Sequence, residues 1–538
     1  MSLSDIKKIK RQLSREQGAI SKDWGGRLPL ALIYPNTYYV GMSNLGFHTI
    51  YSLLNGYDHV VCERAFWEKD KAARGLPAIS LESRRPLTDY AVLAFSISYE
   101  LDYFHAVQIL KSSGIPLYAA DRNENHPLVI AGGPCVIANP QPLSPFFDCF
   151  GIGEAEAILP AMLPILYEGA GGKRADLLQA LGSLPGIYVP LLNNKTPVTR
   201  QWVRSLDDYT AASAILTPDT ELGNLYLMEV ERGCNHGCRF CLTSQAFRPM
   251  RSHSLDKLMS QAETGLKYRK RLGLVGAAVQ DYPRIEELVS GLRQMGAELA
   301  ISSLRIKPLS NKVLSEVAQG QAHTITLAPE AGSQRLREVI KKDITEDDIF
   351  RAMDNVAEHN FRELKLYFMI GLPTETEADI EATNKLVLNC KSILERRQRS
   401  PRISLNIAPF VPKATTPFQW LPMQSTAVIN QRLSLLRKSL SPKGINIKWE
   451  SPAWSEIQAA LARGDETLAR ILANIEEVSL SGWHQAVQDW HVDMDFYAHQ
   501  RWKTGEKLPW SIIDCGLDPA HLKRELERAL RETPEPAP

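Results

Sequence analysis

Glu231-Arg232-Gly233-Cys234-Asn235-His236-Gly237-Cys238-Arg239-Phe240-Cys241 carries three cysteines within eight positions, separated by three residues and then by two. A loop this tight can turn all three thiolates toward one point, as soft-metal chemistry requires. Cysteine thiolates are the usual holders of iron–sulfur clusters, and four of them complete a [4Fe–4S] cube. Three leave one iron free for something other than protein. A structural zinc knuckle wants a nearby fourth ligand and a distant second pair; His236 lies inside the loop, but no second pair exists. A disulfide cannot use three thiols, and a loop of Gly, Asn, His and Arg is not core material. The preceding run Leu225–Val230 reads as a strand. The cysteines therefore sit at a strand's carboxyl end, where α/β barrels keep their chemistry.

Working outward, strands and helices alternate after the loop at barrel-like intervals. Apolar runs at 272–279, 298–301, 324–327, 364–370 and 403–407 each end in polar or glycine residues, making six strands with the first. Upstream, apolar runs at 28–34, 91–95, 128–131 and 149–152 are each followed by a helical pattern. Such runs indicate a parallel sheet covered on both faces, a Rossmann-like domain over 1–190. Residues 191–222 read as a connector with a short strand at 200–204. Past Trp420 the rhythm stops, and 421–538 reads as a mostly helical C-terminal domain. Its helices are expected at 426–440, 454–478, 482–502 and 522–531, with a strand at 445–449 and a frayed proline-rich tail from Glu532.

At 538 residues, three domains are the natural expectation. With 62 basic and 61 acidic residues the net charge is +1, so no global field invites nucleic acid or an anionic membrane. The basic runs Lys267–Arg271 and Arg396–Arg399 read as solvated helix ends. No apolar run reaches the ~18–20 residues of a membrane span. The segment Ser4–Gly18 is a charged amphipathic helix without the apolar core of a secretion signal. Scattered cysteines beside one cluster suit a reducing cytoplasm.

The cysteine spacing, with aromatic Phe240 just before Cys241, resembles the signature of the radical S-adenosylmethionine (radical SAM) superfamily. That resemblance implies a partial (β/α)6 TIM-type barrel over 223–420 and a [4Fe–4S] cluster on Cys234, Cys238 and Cys241. It also implies S-adenosylmethionine (SAM) bound at the open iron and cleaved to a 5′-deoxyadenosyl radical, with flavodoxin or ferredoxin as reductant. SAM would lie against the strand ends. Glycine at Gly371 would let the backbone of Ile370, Gly371 and Leu372 approach the adenine. Glu330 would accept from ribose hydroxyls. Arg305 or Ser303 would pair with the methionyl carboxylate, and Gln280 with Asp281 would meet the ammonium. The superfamily's Gly-Gly-Glu is absent there. For each of these, an ordinary cap or turn is the competing reading.

Strand–Gly132-Gly133-Pro134 and strand–Gly153-Glu154 upstream of such a loop resemble the cobalamin-binding-type domain of a large radical SAM subgroup. The segment Pro412-Lys413 through Thr416-Pro417-Phe418-Gln419-Trp420 strengthens the resemblance to bacterial radical SAM proteins with that domain. Whether cobalamin is bound stays open, since fold does not fix ligand. Cobalamin-assisted methyl transfer is the leading expectation. The alternatives are a methylthiotransferase acting on tRNA or a ribosomal protein, and a non-catalytic iron–sulfur carrier or sensor.

Overall fold

A computed structural model describes residues 3–72, 74–192, 196–301, 303–320, 323–396 and 401–531. The tail from Glu532 and the basic residues Arg397 and Arg399 lie outside the described residues. The fold is mixed α/β with parallel sheets, divided into two compact units. The first comprises Met1–Asn224, Leu461–Met494 and Lys507–Gly516; the second Leu225–Ala460, Asp495–Glu506 and Leu517–Pro538. The segment 421–538, expected as one helical domain, is thus shared between the units.

The first unit is built on a six-stranded sheet: β1 (Leu28–Tyr34), β2 (Val60–Phe66), β3 (Val92–Ser96), β4 (Leu128–Gly132), β5 (Cys149–Gly151) and β6 (Ile187–Tyr188). Their order is β2-β1-β3-β4-β5-β6, parallel except for β6. Successive β1 residues Leu30, Ala31, Leu32 and Ile33 are all buried, so both faces of the sheet are covered. One face packs Leu30 and Leu32 against Phe47, Tyr51 and Leu54 of the helix Leu45–Gly56 and Leu159, Met162 and Leu163 of the helix Ala155–Gly169.

β2 and β6 were not expected. β2 is hidden by its own charges: Glu63 and Arg64 are buried in its middle. Trp24, Ser83 and Tyr90 donate to Glu63, while Arg64 pairs with Glu16 and Glu82 at 2.7 Å each. Residues 200–204 are not a strand; the pairing lies earlier, with Val198–Thr199 parallel to Ile513–Asp514.

The second unit contains β7 (Leu225–Glu229), β8 (Arg271–Val275), β9 (Glu298–Ile301), β10 (Thr324–Glu330), β11 (Glu363–Ile370), β12 (Arg402–Pro409) and β13 (Asn446–Trp449). β9-β8-β7 form one parallel sheet and β10-β11-β12-β13 another, joined through the parallel bridge Leu304↔Leu327. β13 pairs parallel to β12 and adds a seventh strand to the six expected.

β8 ends at Val275 rather than at 279, because the Ala278 N–H donates to the Glu231 carboxylate at 2.5 Å instead of continuing a ladder. The helix expected at 454–478 breaks into Pro452–Arg463 and Leu468–Asn474. The one expected at 482–502 becomes Leu480–Asp489 and Met494–Ala498, parted near His491, whose φ is +50°. Among the described residues no helix is long and apolar enough to cross a membrane.

Candidate cluster and cofactor site

β7 delivers the chain into the cysteine loop, and two glycines shape it. Gly233 has φ +87°, and a Cβ there would stand 2.4 Å from the Phe247 carbonyl oxygen. Gly237 has φ +69°, a left-handed conformation that glycine adopts without cost. The loop is then fixed at its middle cysteine. Ser244 Oγ donates to the carbonyls of Cys238 and Cys241 at 3.1 Å each, and the Cys241 N–H donates to the Cys238 carbonyl at 3.2 Å.

All eight cysteines are free thiols; Cys234 and Cys238 are buried and Cys241 is half-buried. Burial pushes the Cys234 thiol up and the Cys238 thiol to about 11, against the pull of Lys342. At neutral pH such thiols are protonated, and a coordinating metal removes the proton outright. Among the described residues no three His, Cys, Asp or Glu side chains are grouped to hold a single ion. Three free thiols in one loop, two of them buried, are the donor chemistry that would suit an iron–sulfur cluster.

Several strand ends expected to carry site residues act on this loop. The charges felt at Cys238 include Lys342, Glu330 and Arg305, and those felt at Cys234 include Arg305 and Asp281. Glu330 ends β10 at φ +68° and is paired with Lys342 at 3.0 Å. Gln280 lies in the turn Val279–Asp281; its Oε1 accepts from the Arg305 N–H, while its buried Nε2 has no partner. Asp281 joins His236 Nε2 on one oxygen and lies 3.9 Å from Arg305 Nε on the other.

The remaining predicted residues stand apart. Phe240 is half-buried in the loop, and Ser303 is exposed beyond β9. Ile370 and Leu372 are buried on either side of Gly371, whose φ is +77°. The Gly371 N–H donates to Glu375 at 2.9 Å, and Glu375 is held by Arg432 at 2.8 Å. The Ile370 carbonyl accepts from Phe410. This turn is therefore buried at all three residues, with most of its backbone hydrogen-bonding groups already used.

Two features escaped the sequence reading. Glu231, three residues before Cys234, is a buried carboxylate with one oxygen unpartnered; burial lifts its pKa to about 7, with Asp281 adding to the rise. Its position at the mouth of a cysteine loop was the signal available. Lys342 was the second, and its pairing with Glu330 has no local sequence signature.

Comparison with known proteins adds to this geometry. Residues 46–190 match the family described as radical SAM proteins, N-terminal, and residues 228–387 match the radical SAM superfamily. The chain is 33% identical over 452 residues to the uncharacterized protein MJ0966 of Methanocaldococcus jannaschii, covering 82% of this chain and 90% of that one. It is 26% identical over 281 residues to the uncharacterized methyltransferase PH0819 of Pyrococcus horikoshii, covering 50% of this chain and 59% of that one. Among solved structures, the cobalamin-dependent S-adenosylmethionine radical enzyme OxsB with aqua-cobalamin bound aligns over 94% of this chain and 80% of its own. The TM-score is 0.52 and the identity 12%. With three free thiols at the end of β7 inside the matched region, the chain belongs to the radical SAM superfamily and is an enzyme of the kind that works with a [4Fe–4S] cluster and SAM.

Proposed function

We propose that this enzyme carries out radical methyl transfer or related radical chemistry with cobalamin in its N-terminal unit, on a partial (β/α)6 barrel spanning about 223–420. The observation that carries the reading is the three-thiol loop at the carboxyl end of β7, acted on by charges from the ends of β8, β9 and β10. Likeness of fold to a cobalamin-bound structure over nearly the whole chain supports the corrinoid half. So does a parallel sheet whose Gly133, at φ +117°, lies against the Ile97 backbone just past the ends of β3 and β4. Ligands on such sheets sit beyond the strands' carboxyl ends.

In this reading Cys234, Cys238 and Cys241 hold the cluster. When bound, the cluster and SAM supply an adenosyl radical. The chain's own part is placement. Arg305 has the planar fork that suits a carboxylate, while Gln280 brings a buried amide donor that no protein group satisfies. Glu330 requires release or sharing from Lys342 to meet a ribose. Phe240, half-buried in the loop, offers apolar surface to the adenine, the buried turn Ile370–Leu372 would have to open to meet it, and Ser303 is open for a polar contact. A small acidic reductant such as flavodoxin or ferredoxin and a cytoplasmic setting belong to the same reading. So do a Rossmann-like domain at 1–190 and a connector at 191–222.

The methylthiotransferase reading has less support, because it asks for a second cluster on N-terminal cysteines. Cys62 on β2 and Cys149 on β5 are four strand positions apart, roughly 19 Å at ~4.8 Å per strand.

Anaerobic reconstitution with iron, sulfide and cobalamin tests the proposal. The expected outcome is a stoichiometric corrinoid spectrum and 5′-deoxyadenosine formed from SAM under dithionite, abolished in Cys238→Ala. A protein that cleaves SAM yet retains no corrinoid would remove the cobalamin half; one that cleaves no SAM would remove the whole.

A further inference from the structure

Arg239, between the second and third cysteines, does not face solvent: it is 4% exposed. Its guanidinium reaches the last turn of the helix Gln334–Val339, where Nη1 donates to the Glu338 and Val339 carbonyls at 2.9 Å each. Its own backbone N–H donates to the Ile340 carbonyl at 3.0 Å. A cation at a helix carboxyl end satisfies carbonyls that have no partner within the helix and meets the negative end of the dipole.

The same guanidinium pairs through Nε with Glu525 at 3.1 Å, and Glu525 lies on the helix Pro519–Arg531. Glu525 is 2% exposed and gathers two more cations, Lys341 at 3.2 Å and Arg528 at 2.9 Å. Lys341 stands 3.7 Å from the position a Cβ on Gly237 would take, beside the loop's turn.

Resting on the assignment of the cluster to this loop, we propose that Glu525 is a positioning residue for it. Through Arg239, the helix Pro519–Arg531 straps the middle of the cysteine loop to the helix Gln334–Val339. The same carboxylate offsets the positive charge of Arg239 and Lys341 beside the cysteine loop. Two consequences separate this role from packing alone. Partners bonded directly to a metal ligand typically govern affinity by about 10- to 100-fold; Glu525 acts one step further out, through Arg239, so its effect on iron retention is smaller. Cluster reduction potential also follows local charge, which the interior around Arg239 and Glu525 screens weakly, while Lys341, its side chain 41% exposed, is screened more. Reduction adds an electron to the cluster. Removing the carboxylate leaves Arg239 and Lys341 less opposed and favours the reduced state. Removing the Lys341 charge does the reverse.

The test uses the full chain, reconstituted anaerobically, in three forms: wild type, Glu525→Gln and Lys341→Asn. Asparagine tolerates the left-handed backbone at Lys341, whose φ is +56°. Iron retained against a chelator and the midpoint potential by EPR-monitored titration are read without SAM turnover. The expected result is faster iron loss, by up to about 10-fold, and a more positive potential in Glu525→Gln. Lys341→Asn should shift the potential to more negative values. Loosening by itself cannot give shifts of opposite sign. If both variants hold iron and titrate as wild type does, the strap is refuted. If Glu525→Gln fails to fold, the sign of the Lys341→Asn shift decides alone. A wild type that binds no cluster refutes the cluster assignment instead.

Discussion

Replacing Gly233 by alanine tests whether the cysteine loop is built to ångström tolerance. Gly233 has φ +87°, and a side chain held in left-handed backbone costs about 1–2 kcal/mol. The larger effect is steric. The new Cβ would stand 2.4 Å from the Phe247 carbonyl oxygen and 3.2 Å from Met250 Cα, both backbone atoms with no rotamer to yield. Cβ atoms essentially never approach closer than 3.0 Å, so the loop must shift by about 0.6 Å. Metal–ligand distances tolerate only about 0.2 Å, and Cys234 is the next residue. Gly233→Ala is therefore expected to fold but to lose iron about 10- to 100-fold more readily.

Gly26→Ala is the matched control. Its φ is +70°, with nothing within 4 Å of the new Cβ, so it carries the backbone strain without the collision. The assay is anaerobic reconstitution, iron and sulfide per chain, and iron retention against a chelator, with thermal melting of the metal-free forms alongside. If Gly233→Ala retained iron as well as Gly26→Ala does, the argument from loop geometry would be wrong.

Arg64→Met strips the partner from two carboxylates whose side chains are 0% and 6% exposed, Glu16 and Glu82, and should destabilise the first unit by about 3–5 kcal/mol in urea titration. A cost below about 1 kcal/mol would mean that the two pairs contribute little to the unit's stability. Thr345→Ala removes the cap of the helix Glu346–Ala357, where Thr345 and Asp348 bond reciprocally; a loss of about 1 kcal/mol is expected, read by hydrogen exchange in that helix. The Glu456 hydrogen bond lifts the His499 pKa above its ordinary value, with burial opposing. A folded value above the unfolded one means the pairing stabilises fully below about pH 6.5 and fades as pH rises through the folded value. The melting difference between wild type and His499→Gln should therefore be larger at about pH 6 than at about pH 9. A difference independent of pH would discard that ion pair.

Much of this fold is legible because its strands are continuous apolar runs closed by turn residues. β1, β3, β4 and β9 fall within about a residue of where composition puts them. β2 is the instructive failure: Val60–Phe66 carries Glu63 and Arg64 at its centre, which reads as surface. What makes it interior is supplied from elsewhere, with Glu16 lying 48 residues and Glu82 18 residues from Arg64. The same rule divides the site. Three cysteines in eight positions declare themselves, since their chemistry is local. Arg239 and Glu525 are 286 residues apart, and no window on the sequence joins them. The early stop of β8 has the same origin, in a carboxylate 47 residues upstream.

The sharing of the segment past residue 421 between the two units constrains how the molecule is made. At ~5–20 residues per second, ribosomes need roughly 15–60 s to pass from Asn224 to Gly516, which belongs to the same unit. Through that interval Val198–Thr199 lacks the strand Ile513–Asp514 that pairs with it. Glu525, which pairs with Arg239 in the cysteine loop, is translated later still. A gene cut near residue 420 therefore parts each unit from a stretch of its own chain.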